Sequence, residues 1–173
     1  MRPLAPRLAR YRWLLGLATA VLGLDQLTKL WIAASLPFNT YGAPGHIEIV
    51  PGFFNLVHVG NTGAAWSVLA GRSSLLALLA FVALVAIFWF RHHLGLAQRP
   101  VQVAFGLLCG GIVGNFIDRL AYGHVVDFLD FHFGDYIYPT FNVADSGIVC
   151  GVALYVILNL RASAQAPAAP SAS

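Results

Sequence analysis

The chain has 173 residues, 58% of them hydrophobic and only 10% charged, with a formal net charge of +3. A soluble domain of this size carries about 25% charged residues, and packing so much apolar material into one small globule would leave wide exposed patches. An ordinary soluble domain is thereby excluded in favour of a bilayer protein, and basic residues scattered singly leave no footprint for nucleic acid.

Four apolar stretches are long enough to cross about 30 Å of hydrocarbon as helices, at 13–36, 74–90, 101–120 and 143–160. The fold expected is an all-α membrane bundle of four transmembrane helices, with a small extracytoplasmic β-sheet between the first and second. One integral membrane domain covers 1–161. The Ala/Pro/Ser-rich tail at 162–173 has no periodicity and reads as disordered.

The first stretch has a rival reading as a signal peptide, because Arg2, Arg7, Arg10 and Arg12 precede a short apolar run. Asp25 and Lys29 interrupt that run, which resumes through Leu30, Trp31 and Ile32, so a retained span is expected. Asp25 and Lys29 stand four residues apart on one helix face, within pairing reach. They serve either as a structural ion pair or as a brace for a neighbouring site or lipid headgroup.

The segment 37–73 carries strand signals. His46-Ile47-Glu48-Ile49 alternates polar and apolar, Pro51-Gly52 reads as a turn, and 53–59 is rich in β-formers. In the third span Gly106, Gly110 and Gly114, with Gly111 beside them, form a small-residue stripe for close helix approach, and Gly147 and Gly151 repeat the device in the fourth. Cys109 and Cys150 lie inside apolar segments without a CxxC partner and read as small buried hydrophobes.

At the end of the third span Asn115, Asp118 and Arg119 share a face, so an amide, a carboxylate and a guanidinium are expected to converge. Asp127 follows in the apolar run Val125-Val126-Asp127-Phe128, and Asp145 stands eighteen residues on, in the first turn of the fourth span. Singly, Asp145 reads as a helix-dipole residue and Asp127 as a loop residue. If the third and fourth spans pack through their glycines, the two carboxylates meet at one membrane depth. Two carboxylates that close share a proton near neutral pH, so one can activate water while the other polarises a carbonyl.

Orientation follows from the arginines. The N-terminal flank holds four, Arg91 and Arg99 lie between the second and third spans, and Arg161 follows the fourth, which puts both termini in the cytoplasm. Segments 37–73 and 121–142 then lie outside.

Taken in order, Asp25-Gln26-Leu27-Thr28-Lys29, Asn61-Thr62-Gly63-Ala64-Ala65-Trp66-Ser67, the run from Gly110 to Arg119, Val125-Val126-Asp127-Phe128 and Phe141-Asn142-Val143-Ala144-Asp145-Ser146 resemble the bacterial lipoprotein signal peptidases (signal peptidase II). Any one block is weak, but five in family order on a four-span chain are highly specific. The resemblance implies an aspartic endopeptidase of the inner membrane that cleaves diacylglyceryl-modified prolipoproteins just before the lipidated cysteine, with its site at the periplasmic face. It implies Asp127 and Asp145 as the catalytic dyad. Asn61, Asn115, Arg119 and Asn142 would hold the substrate backbone or support the dyad, with Asp25, Lys29 and Asp118 in the wider site. The expected partners are the lipid-modified substrate and membrane lipid, with no metal or organic cofactor, and nothing requires more than a monomer. Trp66 departs from the phenylalanine more usual in the family.

Other chemistries fit less well. A serine–lysine peptidase needs a free lysine base, and the single lysine, Lys29, has a carboxylate one turn away. A zinc protease needs a ligand cluster, and no HExxH occurs, although His124 and His132 flank the dyad region. A small transporter would place its acids near the midplane rather than at one face. A lipid-binding structural protein would tolerate loss of Asp127.

Overall fold

A computed structural model describes residues 9–42 and 44–165. Helix α1 spans Arg12–Ser35, and its inward face carries Asp25, Lys29 and Ile32, stacked by their helical spacing. Leu24, Leu27, Leu30 and Trp31 are exposed on its other sides. Helix α2 spans Ser73–Trp89 without a single charged residue, and its leucines, valines and phenylalanines are largely exposed. Helix α3 spans Arg99–Tyr122. Pro100 sits in its first turn, where a missing N–H costs nothing, and Gly123 ends it at φ 74°, a left-handed conformation that suits glycine.

Helix α4 spans Val143–Ala164 and opens on a capping box between Asn142 and Asp145. It therefore runs past 161, while 166–173, the bulk of the expected tail, lie outside the described residues together with Arg2 and Arg7. Helices α3 and α4 are long and apolar enough to cross a membrane. Helix α2, with 17 residues, reaches about 26 Å, and α1 is interrupted by its internal ion pair.

Helix α3 is the hub that touches the other three. Its glycines serve two neighbours rather than one. A Cβ on Gly106 or Gly110 would lie 3.0 Å from the carbonyl oxygen of Leu14 or 2.7 Å from that of Ala18, both on α1. Gly111 instead lies against Ala144, and Gly151 of α4 meets the carbonyl of Ala104. The stripe expected to join the third and fourth helices is thus divided between α1 and α4.

The sheet differs from expectation in extent. Strands β1 (Ile47–Val50), β2 (Phe54–Asn61), β3 (Val125–Phe133) and β4 (Tyr136–Ile137) pair antiparallel in that order. Half of the strands therefore come from the segment between α3 and α4, not from the segment between α1 and α2. The physical reason is that β1 covers only one edge of β2, whose other edge pairs with β3 over Phe54↔Phe131 to Asn61↔Val125. Val126 and Phe128 of β3 pack on Ile32 and Leu36 at the end of α1. Each such buried side chain contributes about 1.5–3 kcal/mol, enough to fix the sheet on the helices.

Candidate active site

The helix-capping chemistry of α4 is also the centre of the site. Asn142 is fully buried. Its side-chain oxygen accepts from the Asp145 backbone N–H at 2.9 Å, and its own backbone N–H donates to Asp145 Oδ2 at 3.3 Å. The amide Nδ2 turns the other way and donates to Asp127 Oδ1 at 2.7 Å and to the Val126 carbonyl at 3.2 Å. One asparagine therefore links the two aspartates. Each aspartate has a second amide on its remaining oxygen. Asn61 Nδ2 donates to Asp127 Oδ2 at 2.9 Å, and Asn115 Nδ2 donates to Asp145 Oδ1 at 2.7 Å.

Asp127 is 2% exposed on β3. Burial is the main cause that pushes its carboxyl up to about 7, and the negative charge of Asp145 adds to it. The Asn61 and Asn142 donors and the charge of Lys29 pull the other way without winning. The two aspartates titrate as a pair rather than as independent acids.

Behind the dyad lies a buried ionic cluster. Lys29 Nζ stands 2.9 Å from Asp25 Oδ2 and 2.8 Å from Asp118 Oδ2, and it donates to Asn115 Oδ1 at 2.9 Å. Asp25 Oδ1 accepts the Ala144 N–H at 2.9 Å, so a residue of α1 helps to cap α4. Asp118 Oδ2 accepts the Val126 N–H at 3.2 Å and thereby anchors β3. Gln26 donates to Asp118 Oδ1 at 3.0 Å and to Asp25 Oδ2 at 3.1 Å, and sequence reasoning assigned it no role. Its place beside Asp25 was visible in the sequence, but its contact lies 92 residues away.

Of the residues expected to converge at the end of α3, Asn115 and Arg119 line one cavity and Asn115 and Asp118 share Lys29, while Asp118 and Arg119 part. Asp118 turns to Lys29, while Arg119 donates to the Gly63 carbonyl at 2.9 Å. Arg119, Asn115, Asp145 and Asn61 line a cavity of about 820 Å³ whose apolar walls come from α2, α3 and α4. Asp127 stays just behind that wall, covered by Asn61 and Asn142. The loop after β2 closes another side with Trp66, which is 68% exposed and held at φ 53°, a strained conformation for an aromatic residue. His132 pairs with Asp130 at 2.6 Å, and His124 packs against the rings of Phe38 and Tyr122. Among the described residues no three His, Cys, Asp or Glu side chains gather as metal ligands.

The signal peptidase (SPase) II family model matches residues 17–161. The chain belongs to the signal peptidase II family. Membership makes it a peptidase, a hydrolase of the peptide bond. A lipoprotein signal peptidase of Aeromonas hydrophila is 44% identical over 164 residues, covering 92% of this chain and 94% of that relative. One from Syntrophotalea carbinolica is 41% identical over 162 residues, covering 90% and 95%. Two solved bacterial membrane enzymes obtained by the in meso method share the fold. The first has a TM-score of 0.78 and 33% identity over 90% of this chain and 92% of its own. The second has a TM-score of 0.70 and 35% identity over 84% and 90%. With these relatives and its apolar helices, this signal peptidase II has a membrane location.

Proposed function

We propose that this peptidase is of the aspartic type and removes signal peptides from diacylglyceryl-modified prolipoproteins by cutting before the lipidated cysteine. The observation that carries the reading is the bridge through Asn142 between two carboxylates: its side-chain Nδ2 donates to Asp127, and its backbone N–H donates to Asp145. Such a pair carries one proton near neutral pH. The ionised member takes a proton from water as its oxygen attacks the scissile carbonyl, and the protonated member hydrogen-bonds the carbonyl oxygen. Collapse of the tetrahedral intermediate breaks the C–N bond as the leaving nitrogen takes a proton from the pair. Neither a metal nor an organic cofactor is needed for this cycle.

The four helices are read as four spans, with both termini in the cytoplasm and the sheet at the periplasmic face of the inner membrane. The exposed apolar faces of α1, α2 and α4 support that reading, as does the distribution of arginines. A diacylglyceryl anchor would lie in the apolar part of the cavity between α2 and α4, and Arg119, Asn61 and Asn115 would meet the peptide at its polar end. The enzyme acts as a monomer in this reading, since one chain supplies both aspartates.

The test is cleavage of a diacylglyceryl-modified prolipoprotein by purified protein, with Asp127→Asn and Asp145→Asn alongside. Both variants are expected to fold and to lose nearly all turnover. Persistent cleavage by either one refutes the aspartic mechanism.

A further inference from the structure

A second cavity, of about 290 Å³, lies between α1, the start of the outer segment and another face of α3. It shares no lining residue with the cavity at the dyad. Three properties of its wall point to one kind of ligand. The first is charge. Lys29 and Asp118 reach this wall, and with Asp25 they make a buried cluster of two carboxylates and one ammonium, which leaves one negative charge in excess. The C-terminal end of α3, at Tyr122, adds the negative pole of the helix.

The second property is aromatic surface. Phe38 packs on His58 and on His124, each at 5.1 Å between ring centroids, and Tyr122 continues the wall beside His124 at 6.1 Å. The third is an acceptor without a donor. His58 is 7% exposed, and its Nδ1 lies 3.0 Å from the Leu36 carbonyl oxygen. A carbonyl only accepts, so Nδ1 carries the hydrogen, and in that tautomer the lone pair lies on Nε2. That nitrogen has no hydrogen-bond partner among the described residues. Excess negative charge, ring faces and an unused acceptor together recognise an ammonium group.

The mouth of the cavity decides the source of that ammonium. Leu30 lines it and is exposed, and it continues into the exposed Leu27 and Trp31 of α1. We propose that this cavity binds the ammonium headgroup of an ethanolamine-type phospholipid, whose acyl chains lie along that face of α1. The proposal rests on the reading of α1 as a membrane span. The bound ammonium offsets the excess charge of the Asp25–Lys29–Asp118 cluster and donates to His58 Nε2.

The experiment uses full-length protein stripped of lipid in detergent, with bound ligand read by native mass spectrometry. Phosphatidylethanolamine, phosphatidylglycerol of the same acyl chains and free ethanolamine are compared. Retention of the ethanolamine lipid is expected to exceed that of the glycerol lipid about tenfold, and Tyr122→Ala to lower it about fivefold. His58→Phe, which keeps a ring and removes the acceptor, is expected to lower it similarly. Tyr122 is exposed, so its variant keeps the test open if His58→Phe does not fold. Equal retention of the two lipids, or full retention by Tyr122→Ala, overturns the site. Free ethanolamine bound as tightly as the lipid overturns the lipid as occupant. Cleavage measured on the same preparation reports the peptidase reading separately, because binding here involves neither Asp127 nor Asp145.

Discussion

The donor from Asn61 to Asp127 offers the sharpest handle on the mechanism, because Asn61 lies at the end of β2 and caps no helix. Its amide lies 2.9 Å from Asp127 Oδ2 and favours the ionised carboxylate. A hydrogen bond to a charged acceptor is worth about 1.5–3 kcal/mol, and about 1.4 kcal/mol corresponds to one pKa unit. Asn61 is only half-buried, so water replaces part of the bond and the lower end applies, which is about one unit. Removing the donor makes Asp127 hold its proton to higher pH. In the proposed mechanism the active pair is singly protonated, so activity declines as pH rises through the upper limb of the rate profile. That limb is expected near pH 7, where Asp127 stands. In Asn61→Ala it should move up by about one unit, with a lower maximum. The assay is kcat against pH for cleavage of a diacylglyceryl-modified prolipoprotein in detergent. An upper limb that stays in place or moves to lower pH refutes the assignment of that limb to Asp127.

The other predictions concern stability and helix packing. Asp127 has a folded-state pKa above its ordinary value, so it binds its proton more tightly in the native state, and its contribution to stability falls as pH rises from about 4 to about 7. Asp127→Asn should therefore raise Tm relative to wild type at pH 8 and change it little at pH 4, by thermal unfolding in detergent; no difference between the two pH values argues against a raised pKa. Lys29→Met leaves two buried carboxylates unpaired and should cost about 3–5 kcal/mol, while Asp25→Asn on that background recovers part of the loss in denaturant titrations. Independent, additive effects of the two changes would show that the cluster does not act as one unit. Gly111→Ala pushes a methyl group into Ala144 at the start of α4 and should abolish activity by displacing Asp145, whereas Gly23→Ala, with open space beside it, should be silent in the cleavage assay. A fully active Gly111→Ala protein would show that this close helix contact does not position the dyad.

Much of the fold follows local rules and was legible in the chain. The four helices appear within a few residues of the apolar stretches, because length and hydropathy decide them. The capping role of Asn142 follows from an asparagine three residues before Asp145. The sheet was half-hidden, since β3 pairs with β2 across more than sixty residues and nothing local announces that partner. The same limit applies to the site. That Asp25 and Lys29 pair was readable from their spacing, whereas Asp118 as the second partner of Lys29 depends on how α1 and α3 rotate against one another. Residues 118 and 119 are adjacent, yet they serve different neighbours, and face-sharing by spacing alone cannot separate them.

The double duty of Asn142 bears on how the protein comes into being. During synthesis α1, the strands and α3 all emerge before α4, and Asp127 emerges with them. Until residue 142 arrives, Asp127 lacks one of its two amide donors, and Asp145 does not yet exist in the chain. The bond that starts the last helix is therefore made in the same event that brings the two carboxylates together. On the proposed aspartic mechanism, a nascent or truncated chain that ends before α4 has half a dyad and is inert, so proteolytic competence is acquired only when the final helix has docked.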